Sequence, residues 1–122
     1  MRERPAGGEL IDLARHVLRQ ELLAALPEGR RYQALMVLNA LGIAARQIEA
    51  GAGPEERERE SLAGILGKAG DLAELNRELA RTIRAGRFDP GKPGAAAAWR
   101  HLRETTLAAV RESNPKALAG RE

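Results

Sequence analysis

Gly86 to Lys92 reads G-x-x-x-x-G-K, most of the pattern by which a loop cradles phosphate groups. The pattern breaks where the chemistry needs it. Position 93 is proline, so no hydroxyl is offered to Mg²⁺, and two prolines remove backbone N–H donors. The segment before the loop also reads as a helix, not a strand. His16 and His101 are the only histidines, and neither has a second histidine or a carboxylate at a spacing suited to zinc. Both are expected on the surface. Ser61 and Ser113 lack the G-x-S-x-G setting of an activated serine. Acid pairs such as Glu74 and Glu78 fit ordinary helix-surface patterning. The chain has no cysteine, hence no disulfide, thiolate metal site or cysteine nucleophile. The sequence therefore points away from catalysis, and no cofactor or metal is expected.

Two constellations are suited to binding. Arg77, Arg81 and Arg84 share one side of a helix, at spacings of four and three, and Arg87 extends the stripe. Such a stripe is either a solvated face or a surface for an anionic partner, such as RNA, a phosphate-bearing cofactor or an acidic protein. RNA modules add aromatic stacking groups, and none lie here. The other constellation is Tyr32, Asn39 and Arg46, spaced by seven, which drifts only about 20° on an α-helix. Met36 and Ile43 fill the gaps, and Gly42 thins the helix beside them. One explanation is structural: a core tyrosine, an asparagine bonded to a neighbouring helix and a snorkelling arginine. The other is a seam that receives a partner or a ligand, a protein partner being either a second copy or a different chain. In either case the Asn39 amide is expected to be at least half-buried and hydrogen-bonded.

These residues need elements to carry them. From Arg31 to Glu49 the chain is rich in Ala, Leu and Met and has no proline, so it reads as a helix. Ala34, Val37, Leu38, Leu41, Ala45 and Ile48 make one apolar face, and the opposite face is half apolar. A helix of that kind is expected at the centre, buried among others. It is too short and interrupted for a membrane span, which needs about 20 apolar residues. An earlier helix starts near Glu9, with Leu10, Leu13, Ala14, Val17 and Leu18 inward and Asp12, Arg15 and Arg19 outward. Pro54 suits the first turn of a third helix. Asp71 is placed to cap a fourth, with Leu72, Leu75, Leu79 and Ile83 as its stripe. Ala95 starts a fifth, with Trp99, Leu102, Thr106, Ala109 and Val110 inward, ending at Ser113-Asn114-Pro115.

The expected fold is all-α: a single-domain bundle of about five helices over residues 1–122, with the second helix buried. Residues 1–8 are a loose lead-in, 87–94 a loop, and 115–122 a frayed tail. The core is expected from Leu13, Val17, Leu38, Leu41, Leu75, Leu79, Leu102 and Val110. Only 2% of the residues are aromatic, so aliphatic side chains must fill the core. The formal net charge is +3 and the pI about 9.9, but the basic residues are mixed with 17 acidic ones. Even the dense run Glu55 to Glu60 alternates in sign, as solvated helix faces do. Nucleic acid is therefore not the expected partner. The amino terminus carries no apolar secretory core, which makes the cytoplasm the expected location.

Arg31-Tyr32 followed by Asn39-Ala40-Leu41-Gly42-Ile43-Ala44-Ala45-Arg46 resembles the signature of a family of small, uncharacterised bacterial all-helical proteins. The resemblance extends to Arg4-Pro5, to Leu72 through Asn76 and to Asn114-Pro115, and so covers most of the chain. Gln47 departs from the acidic residue of that pattern. Members are encoded beside aminoglycoside-phosphotransferase-like kinases and acyl-CoA dehydrogenases. The resemblance implies an accessory role in acyl-CoA or hydroxyacyl-CoA catabolism, as a small subunit of the kinase, with no catalysis by this chain.

Overall fold

A computed structural model describes residues 3–121. It is all-α: five α-helices in chain order, with no strand among the described residues. They are α1 (Gly7–Val17), α2 (Glu28–Ala50), α3 (Gly53–Leu66), α4 (Leu72–Arg84) and α5 (Ala95–Ser113). The helices group into two compact units. One runs to Gly51 and takes in Glu112–Asn114. The other comprises Ala52–Arg111 and the residues from Pro115 onward.

In the first unit, α1 begins two residues earlier than the sequence suggests. The Glu9 carboxylate accepts from the Ala6 N–H at 2.7 Å, satisfying a donor at the helix entrance. After Val17 the chain does not stop. It widens into a π-helical turn over Leu18–Leu22 and tightens into a 3₁₀ turn over Leu23–Ala25. Leu26 is extended, as the residue before Pro27 must be. α2 then runs to Gly51, whose φ of 64° ends it.

The packing of α1 on α2 differs from the expected leucine stripe. Leu10 and Leu13 face solvent, Leu13 with 56% of its surface exposed. Gly8, Ile11 and Arg15 are half-buried instead, together with Val17 and Leu18, which were expected inward. The reason is a pair of glycine gaps. Ile48 lies 3.8 Å from where a Gly8 Cβ would be, and the Arg15 guanidinium lies over Gly42. Close approach through these gaps fixes a face that the leucines do not share. Nor is α2 buried around most of its perimeter. Only Ala34, Leu38 and Gly42 are buried, a single row at spacings of four. Val37 and Ile48, expected inward, are exposed.

The second unit closes a real core. Pro54 occupies the first turn of α3, as expected. Gly67 ends the helix in the left-handed region, at φ 68°, with its N–H and that of Lys68 both donating to the Ala63 carbonyl. The Asp71 carboxylate caps α4 by accepting from the Glu74 N–H at 2.8 Å. This short turn sets Leu62 and Leu66 against Leu75 and Leu79. Phe88, from the loop between α4 and α5, and Ala98 of α5 complete the cluster. Residues 115–118 form a 3₁₀ turn where a frayed tail was expected.

α5 turns a different face inward from the one its large side chains suggest. Trp99 is 63% exposed, and Thr106 and Ala109 are also outward. The buried positions are Ala95, Ala98 and His101, spaced by three. Small residues let the helix come close, and an indole at that contact would hold it away. Of the expected core, Leu38, Leu75 and Leu79 are buried, while Val17, Leu41, Leu102 and Val110 are half-buried.

Leu75→Ala removes a fully buried side chain and should cost about 2–5 kcal/mol. Leu13→Ala, at an exposed position, should stay within about 0.5 kcal/mol of the parent. Urea unfolding of the two variants checks this ranking, and equal losses would show that Leu13 is covered.

Candidate functional site

The α2 seam is not a core element. Tyr32 is 72% exposed, and Met36 and Asn39 are exposed too, while Ile43 and Arg46 are half-buried. The expectation for Asn39 is overturned: its amide forms no hydrogen bond among the described residues and faces solvent. The cause is rotational. α1 packs on the row Ala34, Leu38 and Gly42, roughly 100° around the helix from Asn39. The helical spacing still sets the five residues on one side of α2, and α1 presents Leu10 and Leu13 one turn apart on its own outer side.

Arg46 is held at the far end of this seam. Its Nε donates to the backbone carbonyl of Glu112, in the last turn of α5. Unsatisfied carbonyls and the negative end of the helix dipole favour a cation there. A second guanidinium lies beside it. A Cβ placed on Gly42 would meet Arg15 Cζ and Nη2 at 3.2 Å and Arg46 Nη1 at 3.4 Å. Arg15, expected on the outward face of α1, is thus turned toward α2. Its Nε is buried and has no hydrogen-bond partner.

The basic stripe is exposed at all four positions, Arg77, Arg81, Arg84 and Arg87, but not all its charge is free. Arg81 Nη2 lies 2.6 Å from Glu78 Oε2, and Lys68 Nζ lies 3.9 Å from the same oxygen. The Arg81 hydrogen bond, then the Lys68 charge, hold the Glu78 carboxyl below its ordinary range. Arg87 lies over the Phe88 ring, 5.2 Å from its centroid. The loop that half-matches a phosphate cradle uses its donors internally. The Asp89 N–H donates to the Gly86 carbonyl at 3.2 Å and the Lys92 N–H to the Asp89 carbonyl at 2.9 Å.

His101 is where the sequence misleads most. It is 3% exposed, not a surface residue, and its Nδ1 lies 2.9 Å from Ser61 Oγ. Beside the pair is a cleft of about 110 Å³ lined by Pro54, Arg57, Glu58, Glu104 and Thr105. Burial pushes the imidazole below the ordinary histidine range, and the charges of Glu58 and Glu104 act against that shift. The contact is not arranged as in a serine hydrolase. There the serine meets Nε2 and a carboxylate orients Nδ1, whereas here Nδ1 is taken by the serine. The bond ties α3 to α5 and satisfies a buried polar group. The signal that could have found it is Ala95-x-x-Ala98-x-x-His101, a row of small residues in phase with the histidine.

These features define an all-α protein with an open helix pair and a separate closed core, and no metal-binding cluster of side chains among the described residues. Residues 24–117 match the family described as a domain of unknown function (DUF6285), and the chain belongs to that family. No curated protein and no solved structure matches it. Among the described residues, no helix is long and apolar enough to cross a membrane.

The buried imidazole makes stability depend on pH. Because its folded pKa is lowered, the unfolded chain binds the proton more readily. The stabilisation is complete above the unfolded value near 6.5 and is lost as the pH falls through the folded value. Urea midpoints at about pH 7.5 and about pH 5.5 should fall further for the parent than for His101→Gln. Equal falls would place the acid sensitivity elsewhere.

Proposed function

We propose that this chain is a non-catalytic accessory protein that works by docking on another protein. The observation that carries this is where the exposed apolar side chains lie. Leu10, Leu13, Tyr32, Leu35, Met36, Val37 and Ile48 all belong to α1 and α2, whereas in the second unit the large apolar side chains exposed among the described residues are Ile83 and Trp99. Concentrated apolar surface of this kind is typical of interaction sites. The seam of Tyr32, Met36, Asn39, Ile43 and Arg46, together with Leu10 and Leu13, forms the candidate contact. The family resemblance supports a partner: a phosphotransferase-like kinase of acyl-CoA or hydroxyacyl-CoA catabolism in the bacterial cytoplasm, with this chain as its small subunit.

The alternative, a nucleic-acid or anionic-ligand module on the α4 stripe, has less behind it. Arg81 is paired with Glu78, which leaves Arg77, Arg84 and Arg87 to carry the field, Arg87 being tethered over an aromatic ring. Salt separates the two readings. Nucleic-acid affinity falls steeply as salt rises, and apolar docking does not.

Kinase activity on a hydroxyacyl-CoA, with and without this chain, tests the proposal. The kinase should gain activity with the chain present and co-elute with it in gel filtration. The double change Leu10→Glu, Leu13→Glu should abolish both effects while shifting stability by no more than about 1 kcal/mol, because both positions are exposed. A fully active kinase alone, with no complex, would refute the accessory role.

A further inference from the structure

Two guanidinium groups from different helices converge on the position where residue 42 has no side chain. Arg15 of α1 and Arg46 of α2 both lie within 3.4 Å of that point. The groups are therefore less than about 7 Å apart, close enough for mutual repulsion to matter at a half-buried site. Neither forms an ion pair among the described residues. Arg46 is explained by the Glu112 carbonyl. Arg15 is not: its Nε is buried with nothing to accept from it. Two like charges at one half-buried site cost stability, and an oxyanion bonded to the Nη groups of the pair removes that cost.

We infer that Arg15 and Arg46 form a clamp, floored by Gly42, for the phosphate group of a small ligand. Phosphate is favoured over carboxylate by number. It offers up to two negative charges and several acceptor oxygens to two planar forks, whereas a carboxylate offers one charge and two oxygens. Gly42 is part of the site, since a methyl group there would lie 3.2 Å from Arg15 Cζ and Nη2 and push the guanidinium aside. The clamp does not depend on the docking role. It lies at one end of the same seam, but it is tested without a partner protein, so either can fail alone.

The test is a titration of the isotope-labelled chain with inorganic phosphate, against sodium chloride at matched ionic strength. The arginine Nε–H resonances report by magnetic resonance. Those of Arg15 and Arg46 should shift and saturate, while those of Arg77 and Arg84 should move only as chloride moves them. The melting midpoint should rise in phosphate relative to chloride. Arg15→Gln should weaken phosphate binding about tenfold or more, consistent with loss of a charge-assisted pair. Gly42→Ala should weaken it while keeping both charges, and Arg77→Gln should leave it unchanged. The clamp is wrong if Arg15 shows no saturable shift, or if phosphate stabilises Arg15→Gln as much as the parent. An equal saturating response to acetate would overturn the assignment to phosphate.

Discussion

Leu62 of α3 and Leu75 of α4 are the two largest side chains withdrawn completely from water, and the second unit is arranged around their contact. Each contributes about 1.5–3 kcal/mol by leaving water. Everything local serves to bring them opposite one another: the left-handed Gly67, the Asp71 cap and the five residues between helices. Phe88 then fills the open side from a loop whose backbone is bonded turn upon turn, and a Cβ placed on Gly94 would lie 3.4 Å from its ring. The chain owns three aromatic residues, and this is the only one in a core. With Tyr32, its one aromatic residue, outside, the first unit has little bulk to bury, and among its described apolar side chains Ala34 and Leu38 are the buried ones.

What could be read from the sequence was whatever is decided within a few residues. Pro54 in a first turn, Asp71 as a cap, the end of α5 before Pro115 and the 87–94 loop all fall where expected. Each follows from backbone sterics or a hydrogen bond spanning three or four positions. Burial on α1, α2 and α5 could not be read the same way, because the apolar pattern offers more than one face. On α1 the choice between Leu10–Leu13 and Ile11–Arg15 is made by glycines on two helices. On α5 the choice between Trp99 and Ala98 is made by how near α3 must come for Ser61 to reach His101. On α5 the largest residue lost, since depth of approach outweighed size, whereas on α1 the inward Ile11 and Arg15 are no smaller than the leucines they displace. The seam residues were legible as a group, but their exposure was not, because the spacing of Asn39 says nothing of which side a neighbour takes.

Ion pairs occur in both units: Arg4 with Glu9 in the first, and Glu78 with Arg81 and Lys68 in the second, where the Asn76 amide also donates to Glu58 at 3.0 Å. On α2 the Arg46 charge is met by backbone, through its contact with a helix end. A carbonyl dipole is a weaker answer than a carboxylate and cannot be titrated away.

The π-helical turn after α1 gives the chain a place where its length is negotiable. A π turn holds one residue more than an α turn closed over the same rise. Losing one residue between Leu18 and Leu22 would leave an ordinary helix in its place, with the hydrogen-bond ladder intact. What would be kept is phase, because the wide turn absorbs its extra residue and the residues on either side hold the same faces without it. Leu23 and Leu26, half-buried in the present register, would stay so. A chain shorter by one residue here would therefore present the same side of the α1–α2 connection.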